Sequence, residues 1–130
     1  MRIVPKDRLP VVRINGEIAA HVFDGAQHGD VGSSAFVVDL PPGPGPRRHL
    51  HPYDEIFVVV RGTARIEADG RTHELTPDEI CVVPAGTAHT FTAVGPDRVQ
   101  MVNIHVARQV HTVWADETGP DHSYEYGHTS

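Results

Sequence analysis

The chain has 130 residues, the length of one domain, and 17 acidic against 11 basic residues give a formal charge of −6 with neutral histidines. The basic residues are scattered apart from the adjacent Arg47 and Arg48, which argues against nucleic acid and anionic membranes, since both reward a clustered positive patch. No run approaches the roughly 18 apolar residues of a membrane span, MRIVPKDRLP lacks the apolar stretch of a signal peptide, and the lone Cys81 excludes an intrachain disulfide, so a cytoplasmic protein is expected.

Short runs rich in Val, Ile, Phe and Thr recur between Gly, Pro, Asp and Asn, and this pattern predicts an all-β protein. The first strands fall at Val11–Ile14, Glu17–Phe23 and Ser34–Leu40. The segment PPGPGP over Pro41–Pro46 then ends a strand as a loop, because its prolines carry no amide donor. It is not a domain linker, since the flanking segments are each too small to fold alone. Strands follow at Ile56–Arg61, Ala64–Ala68 and Arg71–Leu75, the last two joined by Asp69-Gly70, a turn in which both residues accept positive φ. Ile80–Val83, His89–Ala93 and Val99–Val106 complete the set, and no window carries a long helical repeat. Many short strands with regular turn signals point to a sandwich or barrel. Residues 1–114 are expected to form one domain, and the polar residues 115–130 a mobile tail.

On Ile56–Arg61, Ile56, Val58 and Val60 share one face while Phe57 and Val59 share the other. Both faces are apolar, so one belongs to the core and the other needs a second sheet or a second subunit. A homodimer is expected on this ground.

The ten histidines are the unusual feature of the composition. Positions i and i+2 of a strand face the same side, so His49 and His51 project together. Pro52 ends that strand, and the turn Pro52-Tyr53-Asp54 delivers Glu55 to the start of the next. Farther on, a turn at Pro84–Gly86 leads to His89, a third imidazole at the opening of a strand.

The pattern Gly43-x5-His49-x-His51-x3-Glu55-x6-Gly62, followed by Pro84-x-Gly86-x2-His89, resembles the two signature motifs of the cupin superfamily. Asp78 and Ala93 stand where the second motif has Gly and Asn; neither is a ligand position in the family. The resemblance implies a small single-domain cupin, an antiparallel β-barrel of the jelly-roll or double-stranded β-helix kind. It also implies one divalent transition metal held by His49, His51, Glu55 and His89. Three imidazoles and a carboxylate suit Fe, Mn, Ni, Co, Cu or Zn. An octahedral ion would keep positions free for water, dioxygen or a chelating substrate. The expected function is that of a metal-dependent enzyme acting on a small organic molecule, by dioxygenase-type or by redox-neutral isomerase, lyase or cyclase chemistry. The alternative is a non-catalytic cupin that binds or senses a small molecule.

The remaining residues are weighed against ordinary structural roles. His21 and His105 lie in apolar strands and read as buried, hydrogen-bonded histidines, but an inward-facing His105 would be a candidate acid–base group. Tyr53 is a second catalytic candidate, placed to reach the mouth of the pocket. Phe36, Phe57 and Phe91 read as core and as candidate walls of the substrate pocket. His28 reads as a loop residue, and His73, His122 and His128 as solvated. Arg47 and Arg48 flank the metal loop and read as solvated arginines able to attract an anion. Cys81 reads as a buried core thiol rather than a nucleophile.

Overall fold

The computed structural model describes residues 1–115 and the backbone of His122–Tyr124. In chain order the strands are β1 Val11–Ile14, β2 Glu17–Phe23, β3 Ser34–Leu40, β4 Gly43–Pro44, β5 His49–Leu50, β6 Glu55–Arg61 and β7 Thr63–Ala68. They continue with β8 Arg71–Leu75, β9 Ile80–Val83, β10 His89–Val94, β11 Val99–His105, β12 Val113–Trp114 and β13 His122–Tyr124. Every strand expected from the sequence is present, with ends moved by a residue at most. The strand expected at the His49-x-His51 pair is β5, which ends at Leu50; the short strands β4, β12 and β13 went unpredicted because two or three residues carry no readable period. The helical content among the described residues is confined to 3-10 turns at Lys6–Arg8 and Gly25–Gln27. No helix there is long and apolar enough to cross a membrane.

The strands form two antiparallel sheets. One runs β13-β1-β2-β3-β11-β6-β9, and the other runs β12-β5-β10-β7-β8, with β4 added beside β10. This is the jelly-roll barrel expected. The core lies between the sheets and is built from alternating positions: Phe57 and Val59 of β6, Val99 and Met101 of β11, Ala64 and Ile66 of β7, Phe91 and Ala93 of β10. The second face of β6 is less covered. Ile56 and Val58 are half-buried, while Val60 is 61% exposed, as are the neighbouring Ile80 (62%) and Val82 (59%) of β9. The mobile tail expected over 115–130 lies outside the described residues, apart from Ala115 and the strand β13, whose backbone pairs with β1.

Two glycines permit close backbone approaches in the barrel. Gly62 has φ +81°, and a Cβ there would lie 2.4 Å from the Arg98 carbonyl oxygen. Gly45 donates its N–H to the Phe91 carbonyl at 3.0 Å, an approach that a Cβ would block by meeting the same oxygen at 2.4 Å. By contrast Gly70 has φ +69° with nothing within 4 Å of a Cβ. Gly62→Ala should therefore cost about 2–4 kcal/mol, backbone strain plus steric displacement, and Gly70→Ala only about 1–2 kcal/mol. Urea unfolding of both variants checks this; equal losses would contradict the close approach at Arg98.

Candidate metal centre

The site is assembled from both sheets. His49 on β5 and His89 on β10 are direct cross-strand partners in one sheet. Glu55 on β6 and His105 on β11 are direct cross-strand partners in the other. His51 stands just past β5, where Pro52 has ended the strand. Its carbonyl accepts the Gly86 N–H at 2.8 Å, and Asp54 Oδ1 accepts the Ala85 N–H at 2.9 Å, so the two motifs are tied together at the backbone. His49, His51, Glu55 and His89 are all buried, and their ligand atoms lie within 4.8 Å of one another.

The tautomers follow from the partners. His49 Nδ1 lies 2.6 Å from the Arg47 carbonyl, His51 Nδ1 2.7 Å from the His111 carbonyl, and His89 Nδ1 2.8 Å from the Thr87 carbonyl. A carbonyl oxygen only accepts, so each Nδ1 carries the proton and donates. Each Nε2 then presents a lone pair to the centre. Protonation there is opposed: burial first, and the neighbouring His89 and His51 second, push His49 down to about 3.

This arrangement tests whether a metal fits. Glu55 Oε1 lies 3.1 Å from His51 Nε2 and 3.0 Å from His89 Nε2. With neutral Nδ1–H rings, both contacts set a lone pair against a carboxylate oxygen. His51 Nε2 is fully buried with no hydrogen-bond partner. Electron pairs gathered in this way are repulsive alone and are satisfied together by a cation. The donor set is that of a borderline transition metal, and the Nδ1–carbonyl contacts are the outer bonds that orient ligating histidines. The four residues fit the group.

His105 points inward. It is 2% exposed, with Nε2 3.2 Å from Glu55 Oε2 and Nδ1 2.7 Å from the Tyr53 hydroxyl. Tyr53 in turn accepts the His111 N–H at 3.1 Å. With a neutral His105 ring, Tyr53 O–H donates to His105 Nδ1, and His105 Nε2–H donates to Glu55 Oε2. Burial lowers His105 below its ordinary value against the pull of Glu55, which favours the neutral ring. Burial works against the Glu55 carboxylate, yet His105, with its Nε2 3.2 Å from Oε2, holds it well below the usual range. Burial raises the Tyr53 hydroxyl above its ordinary value, so it stays protonated.

The other expectations divide. Phe36 stacks on His105 at 4.5 Å, and Phe57 meets His89 at 5.8 Å and Phe91 at 5.9 Å. Phe36 and Phe57 therefore border the centre, Phe91 packs against Phe57, and Phe36 and Phe91 also line a small cavity between the sheets. Tyr53 is half-buried: its hydroxyl turns inward to His105 and its ring stacks on His51, while it also lines an open surface cavity with Pro52, Arg108 and His111. His21 is half-buried rather than buried. His28 stacks on Phe23 at 4.7 Å, and the exposed His73 contacts Glu79 at 3.0 Å. His128 lies outside the described residues. Cys81 is half-buried against the core rather than enclosed, and burial raises its thiol, which disfavours the thiolate. Arg47 is not free in solvent: its guanidinium lies 4.7 Å over the Trp114 ring. The backbone roles of Thr87 and His111 had no sequence signal.

Fold and site together define a metal-dependent type of jelly-roll barrel. The chain belongs to the cupin domain family, whose model matches residues 36–105. Among solved structures it is similar to oxalate oxidase, with 26% identity and a TM-score of 0.67 over 75% of this chain and 54% of that one. It is also similar to Bacillus subtilis oxalate decarboxylase, studied for its Mn(II) centres, with 19% identity and a TM-score of 0.71 over 84% of this chain and 30% of that one. The same decarboxylase at pH 4.6 gives 20% identity and a TM-score of 0.74, with the same coverage. The chain thus spans about half of the oxidase and under a third of the decarboxylase. No curated protein sequence matches it.

The lowered His49 sets a pH dependence for the metal-free protein. An unfolded histidine takes up its proton near pH ~6.5, whereas folded His49 stays neutral down to about 3. Between those values the unfolded chain holds more protons, so stability falls as pH falls. The urea midpoint should drop between pH 6.5 and 4, and less steeply in His49→Gln.

Proposed function

We propose that His49, His51, Glu55 and His89 hold one divalent transition metal ion, and that residues 1–114 form a single-domain enzyme acting on a small organic molecule. The observation that supports it most directly is the convergence of Nε2 lone pairs on a buried carboxylate oxygen. Fe, Mn, Ni, Co, Cu and Zn all suit the donors. When bound, the ion supplies Lewis acidity or, if redox-active, electron transfer. The likeness to oxalate oxidase supports the oxidative, dioxygenase-type chemistry over the redox-neutral isomerase, lyase or cyclase chemistry.

The protein's own part is to bind, orient and exclude water. Phe36, Phe57 and Phe91 supply apolar surroundings in which electrostatic contacts strengthen. In this reading His105 is a positioning residue. Both its ring nitrogens are engaged, and its hydrogen bond to Glu55 Oε2 leaves Oε1 directed at the centre. Tyr53 orients His105 in turn. The exposed Val60, Ile80 and Val82 lie on β6 and the edge strand β9, and we propose this face as the contact between two copies of the chain. Light scattering should give a dimer at micromolar concentration; a monomer overturns that contact.

The metal reading is tested with variants. His51→Ala and His89→Ala should lose most bound metal by elemental analysis while keeping a native circular dichroism spectrum; unchanged stoichiometry in both contradicts the site. Native protein should release its ion on acidification, because imidazole ligates only when neutral. His105→Phe should weaken Co²⁺ binding by about 10–100-fold and shift its visible spectrum, Tyr53→Phe by less, and His105→Gln should recover part of the loss. Small organic acids screened for turnover and oxygen uptake give the final check. Equal turnover by metal-free protein rules out a metalloenzyme.

A further inference from the structure

Asn103 stands apart in the barrel interior. It is 3% exposed, and its Oδ1 is fully buried with no hydrogen-bond partner among the described residues. On β11 it alternates inward with Val99, Met101 and His105. Its cross-strand partners are Phe36 on β3 and Phe57 on β6, one pleat away from the His105–Glu55 pair. That pleat places its backbone about 7 Å along the strand from His105. Asn103 also borders a cavity of about 40 Å³ between the sheets, whose walls include Ile14, Phe36, Val38, Leu40 and Phe91.

A buried amide oxygen without a partner is destabilising, and a leucine of similar volume would fill the position without that loss. A resident water is a poor explanation. Buried waters make about three hydrogen bonds, and the side chains around this cavity are apolar except for Asn103. The cavity has room for about three non-hydrogen atoms, at ~10–15 Å³ for each water-sized group. No charged side chain lines it, so a carboxylate or ammonium would lose its hydration without compensation.

We propose that Asn103 is the polar contact of a substrate subsite beside the metal centre, receiving a neutral hydroxyl on the short tail of a metal-chelated substrate. This rests on the metal-dependent reading above and narrows it: the substrate is longer than a two-carbon acid, chelating at one end and neutral and hydroxylated at the other. Asn103 is then a specificity residue rather than a ligand of the ion.

The test uses two chelating probes, butyrohydroxamate and 4-hydroxybutyrohydroxamate, titrated into Co²⁺-loaded protein and followed by visible absorption. Native protein should bind the hydroxylated probe about threefold to tenfold more tightly, the contribution of one hydrogen bond. Asn103→Leu should bring that ratio to one or below, leave Co²⁺ stoichiometry unchanged, and raise the melting temperature by several degrees. Equal affinities in native protein, a ratio preserved in Asn103→Leu, or a lower melting temperature in that variant each overturn the subsite. If neither probe alters the Co²⁺ spectrum, the ligand-binding role of the metal centre falls, and the subsite with it.

Discussion

A carboxylate and three imidazoles share a buried space in which all their ligand atoms lie within 4.8 Å of one another. Nothing in a hydrocarbon core favours that. Burial resists the charge on Glu55 and resists protonation of His49 alike. The architecture around the centre is organised so that this electron-rich cluster persists, with each ring held in the tautomer that turns its lone pair inward. The holding contacts come from backbone carbonyls, which cannot reorganise to donate instead.

Those carbonyls explain why irregular segments are anchored as firmly as strands. The His111 carbonyl holds His51, and the segment carrying it is fixed at several points. Ser34 Oγ donates to the Ala107 carbonyl at 2.9 Å, the Ala26 N–H donates to the Arg108 carbonyl at 2.7 Å, and Val110 and Thr112 are 1% exposed. The loop after β11 is therefore part of the site. Similarly, Ala115 N–H donates to the Arg48 carbonyl at 2.9 Å, and β12 pairs with β5. Both contacts steady the segment from which Arg47 reaches His49. A loop with its polar backbone satisfied in this way keeps a ligand's geometry as well as a strand does.

Below the ligands the composition changes from imidazole to phenyl. Phe36 meets His105, Phe57 meets His89, and Phe91 packs on Phe57, so the ligand layer gives way to an aromatic one. In that low-dielectric layer a satisfied polar contact gains strength and an unsatisfied one becomes costly. His105 falls in the first class, with both nitrogens bonded. Asn103, one pleat away, falls in the second.

Much of this was legible in the sequence. Alternation and turn residues determined the strands and pointed to a sandwich or barrel, and a strand's two-residue period set His49 and His51 on one side. The spacing of Gly43, His49, His51, Glu55, Gly62 and His89 carried the resemblance that implied the jelly roll and the four candidate ligands. Tertiary structure decided what depends on partners distant in sequence. The tautomer of His51 rests on a carbonyl sixty residues away, and the place of His105 on its register against Glu55 and on Tyr53, which lies fifty-two residues earlier. Periodicity says which face a residue shares, but not what stands opposite. That is why His105 and Tyr53 read only as catalytic candidates, and why Asn103 gave no signal before the two sheets were brought together.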